Sequence, residues 1–250
     1  MRNSSIPAER VLSKLDEYLH KNDYSSAERH LLYWLSEAES ASDHRIELLV
    51  RNELMGLYRK QGMKEQALDC VSRSLKKIDE LDIGTQVGSA TTFLNCATVY
   101  KAFEMADKAL PLFEKARGIY ESQLDTSDGR LGGLYNNMAL ALVDLDRFSE
   151  AYELYNKAIG IMKGNKSYLE VAITTLNIAT ATEKELGIED ACEKIEKYLS
   201  DAKELLEGLE NRNGYYAFVC EKCSSVYGYY GHFAYENELN ERARRIYEGA

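Results

Sequence analysis

Residues 134–159 read LYNNMALALVDLDRFSEAYELYNKAI. Tyr135, Met138, Ala139 and Leu142 are three and four residues apart, which places them on one face of a helix. A polar break follows around Asp144 and Asp146. Ala151, Tyr155 and Ala158 then resume the same spacing. The stretch reads as helix, tight turn, helix.

Four other segments share the turn, the alanine and an apolar residue four positions later: NDYSSAERHL, GMKEQALDCV, EMADKALPLF and IEDACEKI. Their alanines, with Ala151, are Ala27, Ala67, Ala109 and Ala191, separated in chain order by 40, 42, 42 and 40 residues. Nine positions upstream stand Tyr18, Tyr58, Tyr100, Leu142 and Thr182. Twelve upstream stand Leu15, Met55, Ala97, Ala139 and Ala179. Thirteen upstream, from the second unit on, stand Leu54, Cys96, Met138 and Ile178. After the alanines, Leu31, Val71, Phe113, Tyr155 and Ile195 carry a second helix. Small residues at fixed places let the two helices of a unit approach closely. A sixth, weaker unit is expected at the end of the chain, with Ala243 as its marker and Tyr227, Tyr230, Gly231 and Tyr247 on pattern. An insertion ending in Asn213-Gly214 would precede it.

Composition agrees with a helical repeat. The chain has 250 residues, 45% hydrophobic and 29% charged, a globular balance. Two prolines in the whole chain favour long helices and short turns. Pro111, two residues past Ala109, is expected to delay or bend the second helix of the third unit. The net charge of −10 disfavours phosphate backbones, so nucleic acid is not expected as a partner. The basic clusters Arg73, Lys76, Lys77 and Arg242, Arg244, Arg245 read as solvated helix faces. No run approaches the roughly 18 apolar residues of a membrane span, and the first residues lack a targeting pattern. Five scattered cysteines suit reduced thiols, hence a cytoplasmic setting. A soluble chain without sorting signals is expected to be bacterial.

These segments resemble tetratricopeptide repeats. The fourth unit carries the signature places most clearly, at Tyr135, Met138, Ala139, Leu142, Ala151, Tyr155 and Ala158. The usual period is about 34 residues; the longer units here resemble those of kinesin light chains. The signature proline near the end of a unit is absent. A HEAT or armadillo array would also fit a period near 40, but the alanine, the aromatic nine positions before it and the polar turn between them favour tetratricopeptide. The expected fold is all-α: a right-handed superhelical solenoid of antiparallel helix pairs. It would form one domain of about six repeats, at about 8–46, 48–84, 90–125, 132–165, 172–210 and 224–250.

In such a stack the first helices line the concave side. The register just before the Leu54, Cys96, Met138, Ile178 series holds Glu53, Asn95, Asn137, Asn177 and Tyr229. An asparagine offers both a donor and an acceptor, so a row of them can hold the backbone of an extended peptide. The resemblance implies the same use. Asn52, Asn136, Arg59, Lys101, Thr98, Thr180 and Lys184 flank the row. The alternative is that the asparagines pack between neighbouring first helices and bind nothing. The clamp that holds chaperone tails needs lysine and arginine beside the asparagines; Arg59 and Lys101 are a turn or more away. The last stretch is rich in tyrosine, and Tyr229 and Tyr235, which fall off the core pattern, are candidates for a C-terminal contact patch. An end without a polar cap could pair with a second copy.

No catalytic set is expected. Four histidines are far apart. Cys220-Glu-Lys-Cys223 lacks the second pair of a zinc site. GIMKGNKS, residues 160–167, fails the phosphate-loop spacing, with Gly164 read as a helix end. Gly129, Gly132 and Gly133 are read as a turn. The function expected is non-enzymatic and without cofactor or metal: a scaffold or adaptor that holds an extended peptide or a helix. The alternatives are a peptide-sensing regulator similar to bacterial pheromone receptors, and a self-assembling structural subunit.

Overall fold

The computed structural model describes residues 6–249. Twelve helices are found among them and no strand, in six consecutive pairs: α1 (Ala8–His20) and α2 (Tyr24–Ser40), α3 (His44–Lys60) and α4 (Lys64–Glu80), α5 (Val87–Ala102) and α6 (Ala106–Gln123), α7 (Gly129–Asp144) and α8 (Phe148–Gly164), α9 (Tyr168–Leu186) and α10 (Ile188–Glu207), α11 (Gly214–Tyr229) and α12 (Phe233–Gly249). The chain divides into two compact units, one ending at Gln123 and one beginning at Leu124. Each holds three pairs. No described helix is long and apolar enough to cross a membrane.

The alanine series has the role its spacing implies. Ala27, Ala67, Ala109, Ala151 and Ala191 are all fully buried, and each is the fourth residue of the second helix of its pair. The turn before it is equally regular in four pairs. One residue takes a positive φ: Asn22, Gly62, Glu104 or Asp146. The next amide then donates to the carbonyl five residues back, at Tyr18, Tyr58, Tyr100 or Leu142, each at 2.9 Å. This satisfies a carbonyl that the helix end would leave without a partner. The α9–α10 turn leaves one residue between the helices where these four leave three. There Gly187, at φ 82° and ψ 158°, donates to Glu183 at 2.7 Å. That backbone region is essentially restricted to glycine.

The sixth pair corrects the register expected from the sequence. Ala243 is buried but stands eleventh in α12. The turn, with Gly231 at φ 85° and His232 donating to the Tyr227 carbonyl at 2.8 Å, makes Tyr227 the counterpart of Leu142. The counterpart of Ala151 is then Glu236. A glutamate fits because Gly228 faces it: a Cβ on Gly228 would stand 2.4 Å from the Glu236 carboxyl. The sixth pair therefore begins at Gly214, where Asn213 caps α11 by accepting from the Tyr215 and Tyr216 amides. The sequence points to Ala243 because α12 contains only two alanines, and the one at Ala243 sits on the same buried side as Leu239.

Two further expectations change. Gly129 opens α7 and Gly132 and Gly133 lie inside it. Gly132 stands close against α8, where an added Cβ would meet Met162 at 3.4 Å. Pro111 does not delay α6, which begins three residues before Ala109 as the other second helices do before their alanines. Pro111 is on the solvent side, where water can take the carbonyl that lost its donor.

Among the described residues of the unit from Leu124 on, one buried hydroxyl has no partner, that of Tyr155. Its ring is fully buried, and that burial raises its pKa. An unsatisfied buried polar group is costly. Tyr155→Phe should therefore stabilise the protein by about 1 kcal/mol, seen as a higher urea midpoint by circular dichroism. A lower midpoint would mean that the hydroxyl has a partner in solution.

Candidate functional site

The asparagines of the first helices fall into two groups. Asn52 on α3 donates through Nδ2 to Thr92 Oγ1 on α5 at 3.1 Å. Asn177 on α9 donates in the same way to Asn136 Oδ1 on α7 at 2.9 Å. Asn136 is itself buried. These three amides link neighbouring first helices; of them only Asn177 belongs to the asparagine row.

Asn95 and Asn137 differ. Both are half-buried, and among the described residues neither side-chain amide has a hydrogen-bond partner. Each unit thus presents one half-buried, uncommitted amide at the same repeat register. Glu53 occupies that register in α3. Burial, and then the nearby Asp16 charge, push its carboxyl pKa up.

The flanking residues are placed as follows. Thr98 and Thr180 return their hydroxyls to carbonyls of their own helices, Leu94 at 2.9 Å and Leu176 at 3.3 Å. Lys184 is not a ligand-facing cation. Its Nζ donates to the Val143 carbonyl at 2.6 Å and meets Asp146 Oδ1 at 2.9 Å, so it caps the end of α7. Lys101 is half-buried and Arg59 exposed; partial desolvation lowers the Arg59 pKa.

The tyrosine patch is half corrected. Tyr235 is a core residue, 6% exposed, with its ring edge-on to Tyr227 at 4.7 Å and its hydroxyl donating to Glu207 at 2.7 Å. The corrected register places it against α11 and α10. Tyr229 is the opposite case, 70% exposed. The member of the asparagine register in α11 is Lys222, not Tyr229. Even so, Tyr229 comes next to Thr180. A cavity of about 210 Å³ between α9 and α11 is lined by Thr180, Glu183, Ser225, Val226 and Tyr229.

Sequence reading passed over Glu183, Tyr215 and Phe218 as site residues. Tyr215 and Phe218 are exposed at 45% and 43% and stack at 6.1 Å, and the Tyr215 hydroxyl donates to Glu170 at 3.0 Å. The signal was present: Tyr215, Phe218, Lys222, Ser225 and Tyr229 follow the three-and-four spacing of one helix face. The displaced marker hid it.

A larger cleft of about 840 Å³ runs between α8 and α10 over α9, lined among others by Tyr152, Asn156, Ile178, Thr182 and Tyr198. None of the expected site residues lines it. The Tyr152 hydroxyl already donates across it to Glu185 at 2.8 Å. Cys220 and Cys223 are buried inside α11. Burial pushes both thiols up, Cys223 to about 12, which disfavours the thiolate that redox or metal chemistry requires.

No family model and no curated protein sequence matches the chain. Solved structures do. A putative kinesin light chain from Podosopora anserina, described as having nearly identical TPR-like repeats, aligns at TM-score 0.54 and 17% identity, over 80% of this chain and 94% of that one. BtubC (BKLC) from P. vanneervenii aligns at TM-score 0.56 and 19% identity, over 92% and 91% of the two chains. Identity at this level speaks to fold. With six antiparallel helix pairs and a buried alanine at each of the first five turns, the chain has the tetratricopeptide-like helical repeat fold, in units that resemble those of kinesin light chains.

Proposed function

We propose that this protein is a non-enzymatic scaffold that holds an extended segment of another protein on the faces of its first helices. The observation that carries the reading is a half-buried amide without an internal partner at the same register of each unit taken by itself, Asn95 in one and Asn137 in the other. Their neighbours Asn52, Asn136 and Asn177 are committed to each other or to threonine. An amide that is partly withdrawn from water and has no internal partner gains from a ligand backbone that supplies both donor and acceptor. Helical repeats of this kind serve in general as surfaces for protein contact, which agrees with the reading.

The test is capture from a lysate of the source organism with wild type and with Asn95→Ala/Asn137→Ala. Neither amide is bonded to another described residue, so the variant should keep its circular dichroism spectrum and thermal midpoint. Each lost hydrogen bond, at about 1 kcal/mol, should weaken a partner held by that unit roughly fivefold. Equal capture by both proteins would remove the asparagines from the site. Capture of the protein's own copy alone would favour self-assembly, for which the exposed Tyr215–Phe218 stack is the candidate contact.

A further inference from the structure

The cavity between α9 and α11 has a composition of its own. It is lined by Val226 and the small hydroxyl-bearing Ser225 and Thr180, together with Glu183 and Tyr229. Glu183 Oε1 accepts the Tyr229 hydroxyl and Oε2 accepts the Tyr230 hydroxyl, each at 2.7 Å. Tyr229 and Tyr230 stand edge to face at 5.0 Å. The two phenols thus fix the carboxylate from both sides without neutralising it. Beside this negative charge their pKa values rise, Tyr229 through the bond to Glu183 and Tyr230 first through burial.

What the carboxylate lacks is a cation. No lysine or arginine among the described residues pairs with Glu183. Lys184, its neighbour in the chain, is turned to the end of α7. An ionised carboxylate offers about four lone-pair sites, and the tyrosines use two. Two acceptor sites therefore remain, beside an aromatic face that is largely open to solvent. A guanidinium or ammonium group fits both features. It can bridge to a carboxylate by charge-assisted hydrogen bonds and lie over a tyrosine ring. The wider field has the same sign: from Leu124 on, the chain carries 22 of the 41 acidic residues but only 14 of the 31 basic ones.

We infer that the Thr180–Glu183–Ser225–Val226–Tyr229 cavity is an anchor pocket for an arginine or lysine side chain of the bound segment. The inference rests on the proposed reading of the first-helix faces as the ligand site and adds a sequence preference to it. Unpaired asparagine amides read only backbone. The pocket would make the protein discriminate, selecting segments that carry a basic residue in reach of α9 and α11 and rejecting acidic ones there. Arginine is favoured over lysine, because its planar fork can engage the two remaining acceptor sites together while stacking on Tyr229.

The test uses the full chain and fluorescein-labelled decapeptides of serine, alanine and glycine. These carry at the centre one arginine, its neutral isostere citrulline, or glutamate. Binding is read by fluorescence anisotropy at low salt. The expected result is at least about tenfold tighter binding of the arginine peptide than of the citrulline peptide, with the glutamate peptide weakest. Glu183→Gln keeps the shape and a hydrogen-bonding group toward the tyrosines. It should abolish the preference and leave citrulline binding unchanged. Tyr229→Leu, at an exposed ring, should reduce the preference without touching the fold.

A wild type that binds arginine and citrulline peptides equally, or binds none of the peptides, overturns the pocket. So does a preference that survives Glu183→Gln. The two readings fail differently. Asn95→Ala/Asn137→Ala should weaken all the peptides alike and keep their ratio. If it changes nothing while Glu183→Gln still removes the preference, the asparagine row fails and the anchor stands. If it weakens every peptide and no arginine preference exists, the row stands and the anchor fails.

Discussion

Glu47→Ala should destabilise the protein by about 3 kcal/mol, although in the sequence Glu47 and Arg51 look like an ordinary pair on a wet helix face. Both are almost fully buried, 3% and 4% exposed. Arg51 Nε and Nη2 each reach Glu47 Oε1 at 3.3 Å. Glu47 Oε2 faces His44 Nδ1 at 3.4 Å and Lys77 Nζ at 3.5 Å. Glu39 on α2 accepts from Arg51 Nη2 at 2.5 Å. Removing Glu47 leaves a buried guanidinium with one half-exposed acid, and an uncompensated buried charge is among the costliest defects a core can carry. Replacing both partners by apolar residues of similar volume, Glu47→Met with Arg51→Leu, should come within about 1 kcal/mol of wild type or exceed it. Urea denaturation followed by circular dichroism measures both. A single variant within about 0.5 kcal/mol of wild type would show that water reaches the pair in solution.

Ala151→Leu should cost about 1–3 kcal/mol. Ala151 is fully buried in the first turn of α8, whose first residues are held by the turn at Asp146. Extra methyl groups there can be accommodated only if the helices part, and the Arg147 amide bond to the Leu142 carbonyl resists that. The sixth pair gives the internal control. Glu236 occupies the equivalent place, with room made by Gly228. Glu236→Ala should therefore change stability by no more than about 0.5 kcal/mol. A larger loss would show that the Glu236 carboxylate itself stabilises the last pair.

The helix pairs were legible because they rest on local rules repeated along the chain. Three-and-four spacing forms a helix face, a positive-φ residue closes the turn within each pair, and an alanine stands at the same buried place in five of the six pairs. Any one of these is weak; five copies at near-constant spacing are not. Legibility failed where the repeat substituted one solution for another. Glu236 with Gly228 fills the place of an alanine against a larger residue, which is a property of the pair and invisible from either position alone. The same error carried Tyr229 into the asparagine register and Tyr235 out of the core.

The site divides along the same line. The sequence by itself determined that the chain is an all-α helical repeat and that polar residues recur at one register of its first helices, because register depends only on counting along a helix. Which of those residues keep an uncommitted side chain is decided by tertiary structure. Asn177 is occupied by Asn136 and Lys184 by the end of α7, while the amides of Asn95 and Asn137 are left over. Glu183 becomes a candidate site only when Tyr229 and Tyr230 arrive from a helix nearly fifty residues away to orient it. A side chain's chemistry is written at its own position, but its availability depends on every neighbour the fold brings to it, and those neighbours lie outside any local pattern.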